Sequence, residues 1–144
     1  MDPPLELLEE GLIVERPSDP LRELISDPIP PVLPVKQVGN PVDVAVQRYF
    51  RARGNDAERR AAVLELVGVL EYMRSHVNTT MMKGDENDIF NIANNFALRH
   101  RNLKQKSDYD DSTWLPWMFQ VFLATIHAVA RVLEYQSRST AGSP

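Results

Sequence analysis

From residue 40 onward the apolar positions recur three and four residues apart, the spacing of one face of an α-helix. The first such segment opens at Asn40-Pro41, with Asn40 as cap, Pro41 at the first helical position and Gly54 just past the end. Val42, Ala45, Val46 and Tyr49 supply its inner face. A second segment starts at Asn55, where Glu58 stands at the spacing of a capping box. Its stripe is Val63, Leu66, Val67, Leu70, Met73 and Val77, with Glu65, Tyr72 and Ser75 opposite. Lys83-Gly84 breaks the chain, and Asp85 is the expected cap of a third helix. A fourth begins near Thr113; that cap puts Pro116 in the first turn, where its missing N–H has no intrahelical partner to lose. No period-two alternation, hairpin signal or internal repeat is present, so the predicted fold class is all-α, a compact bundle of about four main helices over 40–137.

The N-terminal part follows a different grammar. Nine of the eleven prolines fall within residues 1–41, which marks 1–39 as a proline-rich arm carrying short helices. Leu5 to Glu10 can follow Pro3-Pro4 and stop at Gly11, and Pro20 to Ile25 can start behind a Ser18 or Asp19 cap. Between Pro28 and Pro34 the run PIPPVLP predicts an extended, polyproline-like path. Leu21, Leu24 and Ile25 make an apolar patch too small to fold alone, so the arm either drapes over the body or awaits a protein partner. Residues 138–144 read as a disordered tail.

The third and fourth helices differ in kind. At about 100° per residue, the third puts Ile89, Ala93 and Phe96 on one side, flanked by Ile92 and Ala97, with His100 in the centre of that face. Asn91, Asn95 and Asn102 line up on the far side with Arg99 beside them; covered, their amides would need partners, and solvated they form an ordinary polar surface. The fourth helix is apolar around most of its girdle, with Gln120, His127 and Glu134 repeating every seven residues beside Arg131. A core-facing helix needs only an apolar stripe of about 100°. The extra width predicts a homodimer through Phe119, Phe122, Leu123 and Ile126, or a monomer that uses the arm as cover. Leu115 to Leu133 is long enough for a bilayer but contains Gln120, Thr125, His127 and Arg131. A charge near mid-helix costs roughly 2.5–3.5 kcal/mol on insertion scales, so the segment reads as a buried helix and no membrane association is expected.

Composition narrows the chemistry. With no cysteine, disulfides, thiolate metal sites and cysteine nucleophiles are excluded, and a cytoplasmic location is expected. The N-terminus lacks the basic, apolar and small-residue succession of a secretory signal. The net charge of -4 is uneven: residues 1–35 carry -6 and the remainder +2, an acidic arm on a mildly basic body. His76, His100 and His127 are not spaced as paired metal ligands, so no metal or other cofactor is expected. Asp108, Asp110 and Asp111 lack the glycine and later glutamate of a calcium loop and read as helix capping. There is no glycine-rich phosphate loop and no GxSxG elbow.

One run remains for chemistry. Arg99, Arg101, Lys104 and Lys106 can neutralise phosphates, with His100, Asn102 and Tyr109 among them, and an imidazole titrating near neutrality can act as acid or base. Binding of RNA or phosphate, or cleavage of RNA, both fit these residue types. So does a structural reading, in which His100 is a satisfied core histidine and the arginines pair with Asp108, Asp110 and Asp111.

The RHRN turn between a short helix and a long apolar one, inside an all-α body, resembles the HEPN superfamily over about residues 40–137. The phrases IANNFALRHRN, QKSDYDD and WLPWMFQVFLATIH are also similar to a group of uncharacterised bacterial proteins. The HEPN resemblance implies a helical dimer in toxin–antitoxin or antiphage defence systems, often a metal-independent ribonuclease, with a motif of arginine, commonly asparagine, and a histidine a few residues later. Arg101-Asn102 matches the start of that motif. The next residues are LKQKSDYDD, the following histidine is His127, and His100 precedes the pair. The expected function is a dimerising module of a bacterial defence or toxin-related assembly that binds RNA or phosphate through the basic turn. The alternatives are a ribonuclease using His100, Arg101 and Asn102, and a purely structural interaction domain.

Overall fold

Two apolar helices, α3 (Asp56–Tyr72) and α6 (Asp111–Ala141), pack against each other and carry the core. The computed structural model describes residues 5–7, 13–15, 19–53, 55–101 and 110–141, with side chains described at 21–53, 55–97, 110 and 112–140. Around the central pair lie α1 (Asp19–Ser26), a single π-turn (Val35–Gly39), α2 (Asn40–Arg51), α4 (Arg74–Thr80) and α5 (Asp85–Arg101). The all-α expectation holds for the body, and α3 touches α2, α4, α5, α6 and the π-turn. Every residue of the stripe assigned to the second helical segment, from Val63 to Val77, is buried.

The second segment is interrupted once, at Met73 (φ -86, ψ 4). The main-chain ladder runs on through it: the Met73 N–H donates to Val69 and the Val77 N–H to Met73, both at 2.9 Å. Thus α3 and α4 occupy the length of the single helix expected from Asn55 onward. Asn55 caps α3 by accepting from the Glu58 N–H at 3.3 Å, as its spacing predicts. Arg74, at the start of α4, stacks on Phe90 of α5 at 3.9 Å from the ring centre while Glu71 holds its guanidinium at 2.8 and 3.0 Å. Gly84 closes the turn before α5 at φ +104, a region that a side chain would strain.

Three helix starts depart from the sequence expectation. Asn40 does not cap α2, because the π-turn before it is already helical and the Asn40 N–H donates to the Val35 carbonyl. Asp85 sits inside α5 rather than before it, with Glu86 and Asp88 joining it in the acidic first turn. Asp110, not Thr113, caps α6: its carboxylate accepts from the Ser112 N–H at 3.1 Å and from the Ser112 and Thr113 hydroxyls at 2.6 Å each. Pro116 therefore lies beyond the first turn, inside the helix, where its ring removes one ladder bond.

The arm is draped on the body. Leu21, Leu33 and Val38 are buried in the same core as the later helices, and α1 lies on α6. Asp27, just after α1, pairs with Arg131 of α6 at 2.6 Å. The segment expected as a helix from Leu5 to Glu10 instead begins as a strand, β1 (Leu5–Leu7), paired antiparallel with β2 (Ile13–Glu15). Six residues cannot satisfy the orphan amides at both ends of a helix, whereas Ile13 and Val14 favour a strand. At the other end, α6 continues to Ala141 through the expected tail, helped by an Arg138–Glu134 pair at 2.7 Å.

Phe119, Phe122, Leu123 and Ile126, expected at a subunit interface, are fully enclosed within the single chain. Phe119 stacks on Tyr49 of α2 with ring centres 4.0 Å apart, and Phe50 meets both edge-on. A second copy would meet α6 through other residues. By length and composition Ser112–Thr140 is apolar enough to cross a membrane, yet half of its apolar window is buried inside this fold.

Two outcomes test this packing. Phe122→Ala should cost about 3–5 kcal/mol in denaturant unfolding, and the loss should not vary with protein concentration, as it would for an interface residue. Gly68 faces open space on the exposed side of α3, so Gly68→Ala should raise stability by about 0.5–1 kcal/mol in the same measurement.

Candidate functional site

Helix α5 ends at Arg101 and α6 begins at Asp111, so the basic run bridges the C-terminal end of one and the N-terminal end of the other. The backbone places Arg99, His100 and Arg101 in the last turn of α5; their side chains lie outside the described residues, as do Asn102, Lys104, Lys106, Asp108 and Tyr109. Cations at a helix C-terminus complement its dipole, which is a structural reason for arginines there. Ile89, Ile92, Ala93 and Phe96 face inward as their periodicity predicts, Ala97 is half-buried, and Phe90 joins the core. Asn91 and Asn95 are exposed, so their amides are solvated and carry no burial penalty.

At the far side of this junction stand the only two tryptophans of the chain. Trp114 and Trp117, three apart on one helical face, are 45% and 43% exposed. Their rings meet edge to face at 5.7 Å. Leu115, Met118 and Phe119 take the buried face, which leaves the indoles on the rim. Trp117 belongs to the apolar run of α6 but stays half-exposed, outside the buried face. Asp110 beside them is held below its ordinary carboxylate pKa by the hydrogen bonds from Ser112 and then Thr113.

A second feature lies further along α6. His127 is only 2% exposed, and its Nδ1 is buried with no hydrogen-bond partner. It lines a pocket of about 240 Å³ with Ile25, Asp27 and Ile29 from the arm and Val42, Asp43, Val46 and Gln47 from α2. Burial, then the nearby Arg131 charge, pushes the His127 pKa down to about 4, with Asp27 opposing weakly. At neutral pH the ring is therefore uncharged and poorly matched to proton transfer. The Arg131–Asp27 pair is largely solvated and adds little energy by itself, but it pins the end of α1 beside the pocket. The heptad repeat of Gln120, His127 and Glu134 showed a polar line on α6; only the folded arm turns its middle member into the lining of a pocket.

Among the described residues no three histidine or acidic side chains converge as metal ligands. No protein-family model, curated protein or solved structure matches the chain.

The buried imidazole makes stability depend on acid. Above about pH 6.5 the ring is neutral folded or unfolded; as pH falls from about 6.5 to about 4 only the unfolded chain takes up the proton, so stability drops. The loss amounts to about 3 kcal/mol by pH 4 and then levels off. Replacing the ring by His127→Leu should remove this component, read as the difference between the two proteins in denaturant unfolding at pH 7 and pH 4.

Proposed function

We propose that the protein is a helical RNA-binding module that grips single-stranded RNA at the end of the bundle where α5 passes into α6. The observation that supports this reading is the exposed Trp114–Trp117 pair, standing next in the chain to Arg99, Arg101, Lys104 and Lys106. Exposed indoles offer faces for base stacking, and the cations neutralise phosphates. The acidic first 35 residues belong to the other end of the chain and do not supply this charge.

Cleavage would fall to His100, with Arg101 on the scissile phosphate and Asn102 orienting it. His127 does not substitute, being enclosed and uncharged at neutral pH. Binding without cleavage is therefore the reading we adopt, in the defence or toxin-related setting that the HEPN resemblance implies. It is stated for one chain, since the residues first assigned to a dimer interface are enclosed by the subunit itself.

Because both tryptophans lie at the site, intrinsic fluorescence reports on it directly. Oligouridine should quench that fluorescence, bind more weakly as salt rises and remain intact. Trp117→Ala should weaken binding by about 5- to 150-fold, the equivalent of roughly 1–3 kcal/mol for one stacked base. Unaltered fluorescence, or binding indifferent to salt, would sink the proposal; cleavage abolished by His100→Ala would replace it with the ribonuclease.

A further inference from the structure

A second concentration of positive charge stands apart from the α5–α6 run, at the corner where α2 turns into α3. Within residues 48–60, Arg48, Arg51, Arg53, Arg59 and Arg60 are accompanied only by Asp56 and Glu58, a net of +3. That exceeds the +2 of the whole chain after residue 35. Arg59 is half-buried over the Tyr49 ring at 5.6 Å, and Arg48 sits 3.6 Å from Glu58. Arg51 and Arg53 are exposed, with no carboxylate partner among the described residues. Arg53 is also the one non-glycine residue at positive φ among them, +47, a conformation that disfavours a side chain and gathers at functional turns.

This corner and the indoles occupy one end of the bundle. Helices α2 and α6 run antiparallel: Val42 and Val46 line a pocket with His127, and further along α2 Tyr49 stacks on Phe119 at 4.0 Å. Two more residues along α2 and two back along α6 bring Arg51 to the axial level of Trp117, about 3 Å beyond the ring stack. The two helices meet through their inward faces, so the exposed Arg51 and the exposed indoles stand on opposite flanks of that end.

We propose that the RNA strand runs past the indoles and over the end of the bundle, where Arg51 and Arg53 hold its phosphates. This rests on the RNA reading and extends its footprint to a second surface. Guanidinium groups match phosphate oxygens in pairs, which suits a backbone contact that is indifferent to base. Arg51 and Arg48 line a half-open hollow of about 290 Å³ with Val44, Gln47, Ala52 and Glu58. Because Glu58 lies by Arg48, the phosphate falls to the Arg51 side, where Gln47 one turn earlier offers an amide to a ribose hydroxyl. The flanks are two helix diameters apart, about 20–24 Å, which a stacked strand at about 3.4 Å per nucleotide crosses in about six or seven steps. β2 of the acidic arm also meets α2, which makes the arm the competing occupant of the corner.

The test compares quenching of tryptophan fluorescence by oligouridines of about three and about twelve nucleotides, in the wild-type chain and in the double variant Arg51→Gln, Arg53→Asn. Glutamine keeps the helix propensity of arginine and asparagine tolerates positive φ, so the variant loses charge while keeping its turn. The long strand should bind the variant more weakly, and its log–log salt slope should flatten by about 1.4, the value for two phosphates on a single strand. The short strand, which reaches the indole flank alone, should bind both proteins equally. The inference is overturned if the long strand binds the variant as it binds wild type, the result expected when the acidic arm fills the corner. It is also overturned if the short strand weakens as much as the long one. Both results leave the RNA reading standing, whereas no quenching by either length overturns the two together.

Discussion

The girth of the apolar surface on α6 governs the rest of this fold. A helix that is apolar on one stripe needs one partner, but α6 presents apolar side chains well beyond the stripe that α3 can cover. Its second neighbour is therefore recruited from elsewhere in the chain. Phe119 reaches Tyr49 and Phe50 of α2, α4 adds a further contact, and α1 lies on the other flank. The described part of the proline-rich arm, which has too little apolar surface to fold alone, packs on α6 through α1 and on α2 and α3 through the π-turn. Leu21 and Leu33 are buried as a result, and the arm and the bundle share one core.

That same covering creates the chemistry of the molecule. One polar side chain on α6, His127, falls beneath the arm and loses its water, which lowers its affinity for a proton. Asp43 of α2 and the Arg131-paired Asp27 after α1 arrive beside it, so a polar line on a helix becomes one wall of a small pocket with aliphatic sides. Toward the N-terminus of α6, among the described residues, two indoles remain exposed at the rim. Trp117 and His127 are ten residues apart on one helix, roughly 15 Å along its axis, yet one is exposed and the other sealed. Partial cover of a single long helix thus separates an exposed indole pair from a buried imidazole at the floor of a half-open pocket.

Much of the architecture was legible in the residues. The stripe from Val63 to Val77, the inward face of Ile89, Ala93 and Phe96, and the cap at Asn55 all appear as their spacing predicts. Caps were less legible. Asn40 has the right side chain and Pro41 the right position, but a π-turn upstream had already satisfied the amides that a cap would serve. Asp110 outcompetes Thr113 because a carboxylate accepts three bonds and opposes the helix dipole, which a hydroxyl cannot match. Phe50 and Phe90 were not singled out, since each needs a neighbour from another helix to explain its burial.

By itself, the sequence determined the main helical segments of the body and the inward faces of the first three, because both follow from apolar periodicity within one turn or two. It also established an acidic, proline-rich arm distinct in composition from the body. Tertiary structure alone decided that the arm covers α6, that Phe119 through Ile126 belong to the core, and that His127 is sealed while Trp114 and Trp117 are not. The physical reason is that burial is a property of pairs of surfaces. A helix carries its own periodicity, but what removes water from a given side chain comes from residues that can be a hundred positions away, as Asp27 is from Arg131.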